Sequence, residues 1–105
     1  MDTLSLNKRY CLKLADGRSL GHVVIERFVD SWAEGPFAPD SDFAPLRELF
    51  KKEAELRHDQ VIPLWEEAAD EIAALGIEVI EEGNGQSTGR FRVFIEDDEA
   101  ILGPV

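Results

Sequence analysis

Asp16-Gly17 stands between two alternating runs, and no other dipeptide in the chain constrains the fold as tightly. Both residues tolerate the positive φ of a tight turn, so Asp-Gly between period-two segments signals a hairpin. From Lys8 to Leu14, Tyr10, Leu12 and Leu14 alternate with Arg9, Cys11 and Lys13, the pattern of a half-buried strand. The return strand is expected over about Ser19 to Trp32, which is rich in β-branched and aromatic residues. A two-residue turn pairs Tyr10 with Val23, Cys11 with His22 and Leu12 with Gly21. Val23, Ile25 and Val29 then share the core face, while Val24, Phe28 and Trp32 lie on the other. Arg27 breaks the pattern, which calls for a bulge that re-aims the strand or for partial cover on both faces.

Gly35, Pro36 and Pro39 mark Ala33 to Ser41 as a loop. Helical periodicity begins after Asp42, a suitable N-cap, with Phe43, Leu46, Leu49, Phe50 and Ala54 on one stripe. A second stripe follows in Val61, Leu64, Trp65, Ala68, Ile72 and Leu75. Pro63 lacks the amide that a helix interior uses and clashes with the preceding turn. Two helices are therefore expected, about 43–57 and 60–75, jointed at His58-Asp59; one kinked helix is the alternative. Gly76 is placed to stop the second helix, with Ile77 packing back on its last turn.

Ile77 to Glu82 and Arg90 to Glu96 are expected to form a second hairpin around the Gly83–Gly89 loop, pairing Val79 with Val93 and Ile77 with Ile95. The tail, 97–105, is acidic and then apolar, and either docks on the fold or stays mobile. The order ββααββ predicts one α+β domain over 1–105. Its form is a two-layer fold, a four-stranded antiparallel sheet with two helices or one kinked helix on one face.

The 105 residues carry 11 Lys+Arg against 22 Asp+Glu, a net charge of −11. The excess is uneven, with 9 basic and 10 acidic residues through Arg57, but 2 basic and 12 acidic from His58 onward. Such a surface repels phosphate backbones, so nucleic-acid binding is not expected. The candidate basic patches, Lys8, Arg9 and Lys13 or Arg47, Lys51 and Lys52, are not interleaved with aromatics. No apolar run reaches the length of a membrane span, and MDTLSLNKRY has no apolar signal segment. The single cysteine, Cys11, excludes an internal disulfide framework and fits a reducing compartment, so a soluble cytoplasmic protein is expected.

The residue types that carry chemistry each have a structural reading. Cys11 and His22 meet across the first hairpin, as a thiolate–imidazolium pair requires, but an open strand face offers neither oxyanion donors nor further metal ligands. His58-Asp59 suits an acid–base pair and, equally, a helix joint. Gly83–Gly89 has the glycines of a phosphate cradle but joins two strands behind Glu81 and Glu82, where phosphate is repelled. Glu66 with Asp70 and Glu67 with Glu71 sit four apart on a solvated helix face. Glu96-Asp97-Asp98-Glu99 lacks the spacing of a calcium loop. No catalytic residue, metal site or cofactor is expected.

What remains is aromatic. Trp32, Phe37 and Trp65 are the informative ones. Trp32 and Phe37 either fold back over the edge of the core or, with Phe28, line an exposed patch that receives a partner, since aromatics are enriched at binding hot spots. Val24, Phe28, Ile80 and Phe94 fall on the sheet face that a two-layer fold leaves open. The expectation is an acidic, non-catalytic interaction module binding a protein partner or a second copy of itself. Its surface would be Val24, Phe28, Trp32, Phe37, Ile80 and Phe94, and its partner surface basic. The alternative is a small enzyme or ligand-binding domain with a cleft between Trp32–Phe37 and His58-Asp59, using carboxylates such as Glu34 and Asp59.

Overall fold

The computed structural model describes residues 4–104. Met1–Thr3, part of the segment read for a signal, and Val105, the end of the tail, lie outside them. The first hairpin forms, but not on the expected two-residue turn. The Leu14 amide donates to the Arg18 carbonyl and the Gly17 amide to the Leu14 carbonyl, so the turn holds three residues, Ala15–Gly17. β1 (Arg9–Lys13) and β2 (Ser19–Val24) pair Tyr10 with Val23, Cys11 with His22 and Leu12 with Gly21. Gly17 takes φ 91°, and the Asp16 carboxylate accepts the Arg18 amide at 3.0 Å. The register then shifts at Leu12/Lys13.

The expected continuous strand to Trp32 and loop after it are replaced by two strands. β3 (Arg27–Val29) and β4 (Trp32–Pro39) form a tight hairpin in which Asp30 takes φ 55°. Strand pairing breaks at Ile25–Glu26, and Gly35-Pro36 of β4 lie opposite the break. The missing proline N–H therefore falls where the ladder is already interrupted, which is where a sheet accepts proline. β4 pairs with β3 through its first half and with β2 through Phe37–Pro39, so it carries the sheet around the bend.

The second hairpin also differs from expectation. β5 (Glu78–Glu81) pairs with β6 (Ser87–Arg90), placing Val79 opposite Gly89 rather than Val93. β7 (Arg92–Glu96) instead pairs with β8 (Glu99–Gly103), so the tail is a strand, with Val93 opposite Leu102 and Ile95 opposite Ala100. Asp97 and Asp98 supply the turn at φ 48° and 64°, the double positive φ of a two-residue hairpin.

The strand order is β6-β5-β1-β2-β4-β8-β7, with β3 also on β4, and every pairing is antiparallel. The four-stranded ββααββ sheet is thus corrected to an eight-stranded curled half-barrel; the α+β class and the two helices stand. β6 and β7 occupy opposite ends of the order yet are separated in sequence by Phe91 alone. That covalent link forces the curl.

A 3₁₀ turn, Ser41–Leu46, leads into α1 (Arg47–His58), and α2 (Ile62–Ala73) follows. Pro63 occupies the first turn of α2, where no amide is required. Gln60 at φ 57° ends α1, and Gly76 at φ 64° ends α2. The helices pack against β7, and Phe43, Phe50 and Ile72 join the inner residues of the curled sheet, among them Tyr10, Leu12, Val23, Val79 and Leu102, in one core. No helix among the described residues is long and apolar enough to cross a membrane.

Candidate binding cleft

On α1, Arg47, Lys51, Glu55 and Asp59 recur every four residues and so share one face. That face, with His58, forms one wall of a cleft of about 620 Å³. Ile95, Glu96, Asp97 and Asp98, at the end of β7 and its turn, form the wall opposite, and Phe37 and Pro39 come from β4. Phe37, Phe43, Phe50 and Ala54 make an apolar floor. Phe37 meets Phe43 edge-on with centroids 5.2 Å apart, and Phe50 tilts against Phe43 at 5.6 Å. The Phe37 amide donates to the Asp98 carbonyl at 2.7 Å, which fixes the acidic turn against β4. A concavity of this volume, with a largely apolar base and a few polar groups at the rim, is the usual form of a binding site.

The rim is polarised. Two cations, Arg47 and Lys51, face into a cleft that also holds Glu55, Asp59, Glu96, Asp97 and Asp98. The Arg47 guanidinium carbon lies 5.1 Å from the Phe43 ring centre, a cation–π contact. Among the described residues, Arg47, Lys51, Glu55, Asp59, Asp97 and Asp98 make no ion pair.

Glu96 is engaged from behind. His58 Nε2 lies 2.5 Å from Glu96 Oε2, and Arg57 Nη2 donates to Glu96 Oε1 at 3.2 Å. Arg57 also donates to Glu53 through Nε at 2.8 Å and Nη2 at 3.3 Å, and Trp65 Nε1 donates to Glu53 Oε2 at 2.8 Å. Glu53 is fully buried, and these three donors satisfy its carboxylate. Burial alone would lower the Arg57 pKa. The Glu53 hydrogen bond and charge, and then Glu96, more than offset this, so its pKa is raised and the guanidinium stays charged. The network holds α1, α2 and β7 together.

The remaining sequence candidates are dispersed. Cys11 and His22 are cross-strand partners, but the thiol lies 3.3 Å from Ser19 Oγ. His22 Nδ1 is 2.7 Å from Glu82 Oε2, and Nε2 is 3.3 Å from Asp40 Oδ2. Val24 and Ile80 are half-buried on this outer face, and Phe28 is 47% exposed. Trp32 stacks on Phe94 at 5.6 Å and covers Gly103, where a Cβ would stand 2.3 Å from the indole. Trp65 also lies against Phe94, at 6.3 Å between ring centres, and Phe94 is buried. Phe37 faces the core and the cleft, apart from Trp32.

The structure therefore brings Phe37 together with His58-Asp59, while Trp32 lies elsewhere and Glu34 is bound to Arg27 at 2.8 Å. Gly83–Gly89 contains the tip of the β5–β6 hairpin, and Glu66, Glu67, Asp70 and Glu71 are exposed on α2. No group of three or more His, Cys, Asp or Glu among the described residues is arranged to hold a metal ion. Glu53 escaped the sequence reading, although it sits three residues after Phe50 and four before Arg57, on the apolar stripe of α1. Comparison with protein families, with characterised proteins and with solved structures returned no match to this chain.

Proposed function

We propose that the protein is a non-catalytic binding module that engages a basic region of a protein partner through the cleft between α1 and the Asp97-Asp98 turn. The observation that carries this reading is the excess of carboxylates over cations around an aromatic floor, in a chain of net charge −11. Acidic rims raise the local concentration of basic partners and orient them, while the apolar floor supplies contact area. His58 is held against Glu96, and Glu96 against Arg57, which favours a scaffolding role for these groups over proton transfer.

Fluorescence anisotropy with a labelled Arg- and Leu-containing peptide, read at low and high salt, tests the reading. Binding should weaken with salt and should fall in the Glu55→Gln/Asp59→Asn variant. Equal binding of an acidic peptide, or binding indifferent to that variant, would remove the proposal.

A second reading is self-association through the outer face of β3. Phe28 is there 47% exposed, and Val29, on the opposite face of the same edge strand, is 48% exposed. Light scattering coupled to size exclusion decides it: a monomer at high concentration rejects a homodimer.

A further inference from the structure

The charges on the cleft face of α1 run against the interest of the helix. A helix is stabilised by acidic groups near its N-terminus and basic groups near its C-terminus, because its dipole is positive at the start and negative at the end. Away from the cleft α1 obeys this rule, with Glu48 in its first turn and Arg57 in its last; His58, in the cleft wall, is held by Glu96. The cleft stripe reverses it: Arg47 and Lys51 come first, then Glu55, with Asp59 at the C-cap. Local rules broken at one face of an otherwise consistent element mark a face selected for something other than stability.

That reversed order adds to the dipole instead of cancelling it. One end of the cleft carries Arg47 in the first turn of α1 and Lys51 one turn on, and the other carries Glu55 in the last turn and Asp59 at the C-cap. The two cations and the Asp97-Asp98 wall share the cleft without pairing, so both signs are left for an occupant. Arg47 and Asp59 are three steps of four residues apart, which is about 18 Å along a helix axis. An extended peptide covers that distance in roughly five or six residues.

We infer that the cleft binds an extended protein segment of opposite polarity: an acidic side chain against Arg47 and Lys51, a basic one against Glu55 and Asp59, and apolar side chains between them over Phe50 and Ala54. This rests on the cleft being the protein-binding site, and it narrows the partner from a basic region to a bipolar one. The occupant lies along α1 with its charges, not its chain direction, setting the orientation. An interior segment fits as well as a terminus, since side chains supply both charges.

Three acetylated and amidated peptides of about six residues, with a common apolar middle, test the inference by anisotropy. One carries Glu at one end and Arg at the other, one carries Arg at both ends, and one carries Glu at both. The bipolar peptide should bind about fivefold or more tightly than either other, the scale of one or two partly exposed ion pairs. In the Arg47→Glu/Lys51→Glu variant the preference should pass to the peptide with two arginines. Both positions are exposed, and circular dichroism checks that the fold is kept. If the wild type binds the two-arginine peptide as tightly as the bipolar one, the bipolar inference fails and the basic-partner reading survives. If none of the three binds, or the Glu55→Gln/Asp59→Asn variant binds them unchanged, the cleft reading fails as well.

Discussion

The Trp65 indole donates a hydrogen bond to the fully buried Glu53 carboxylate at 2.8 Å, so the two helices are tied by a charge with no access to water. Arg57 supplies the compensating cation from one turn further along α1. Removing one partner of such a pair leaves the other buried and uncompensated. Arg57→Met should therefore cost about 3–5 kcal/mol in urea denaturation. Adding Glu53→Leu should recover most of that loss, because an apolar pair of similar volume needs no desolvation. A double variant no more stable than Arg57→Met would show that the pair is not the origin of the effect.

Gly35 passes so close to β2 that a Cβ there would stand 1.6 Å from the Val24 carbonyl oxygen. The obstructing atom is backbone, so neither side can yield by rotating a side chain. Gly35→Ala is expected to lose about 3 kcal/mol or more of stability, the range of severe overpacking. Gly83→Ala is the matched control, since a Cβ there meets nothing within 4 Å, and it should stay within about 0.5 kcal/mol of the wild type. Comparable losses in the two variants would refute the close-approach account.

Gly35 also shows where the chain can be read locally and where it is read only with its neighbours in place. The existence of the first hairpin is local information, carried by Asp16-Gly17 and the alternation around it; Tyr10 meets Val23 because the shift at Leu12/Lys13 takes up the third turn residue. Pro63 and Gly76 likewise act on their own neighbours and correctly separate and end the helices. β4 is hidden because Gly35, Pro36 and Pro39 look like loop residues until a break in the facing strand accommodates them. The pairing of β5 with β1 and of β4 with β8 joins segments far apart in sequence, and nothing local announces it. The Asp97-Asp98 turn has no glycine, so β8 reads as a tail. For the cleft, Phe37 and His58-Asp59 were legible as unusual residues. The place of Arg47 and Lys51 in the cleft was not, because it depends on which face of α1 meets the β7 turn.

The Lys8–Glu81 bridge ties the entry to β1 to the end of β5, with Nζ 2.8 Å from Oε1. The hydrogen bond from Lys8, opposed by burial and then aided by the Lys8 charge and the Asn84 amide, holds the Glu81 carboxyl below its ordinary 4.5. A depressed carboxyl stabilises the fold fully above its unfolded value and loses that contribution as pH falls through the folded one. The Glu81 hydrogen bond and charge raise Lys8 above its ordinary 10.5, so from the basic side the contribution is present below 10.5 and lost as pH climbs past it. The urea midpoint of the wild type should exceed that of Glu81→Gln by a constant margin around neutrality. The margin should shrink below pH 4.5 and again above pH 10.5. A margin that is flat across both limits would show that the bridge contributes nothing.

Asp59 offers the sharpest separation of stability from binding. It caps the C-terminus of α1, where its negative charge opposes the helix dipole, and no ion pair among the described residues offsets it. Asp59→Asn keeps the shape and removes the charge. The folded protein should gain about 0.3–1 kcal/mol in urea denaturation, the usual size of a helix-end charge effect. The same variant should bind a basic or bipolar peptide less tightly by about two- to fivefold, the loss of one exposed attraction. Glu66→Gln, on the exposed face of α2, away from either end of that helix and outside the cleft lining, removes the same charge from the molecule and controls for net charge. It should leave peptide binding unchanged and shift stability by no more than about 0.5 kcal/mol. If Asp59→Asn weakens the fold, or if both variants lower peptide affinity equally, the acidic end of the cleft is an accident of overall charge and not a recognition element.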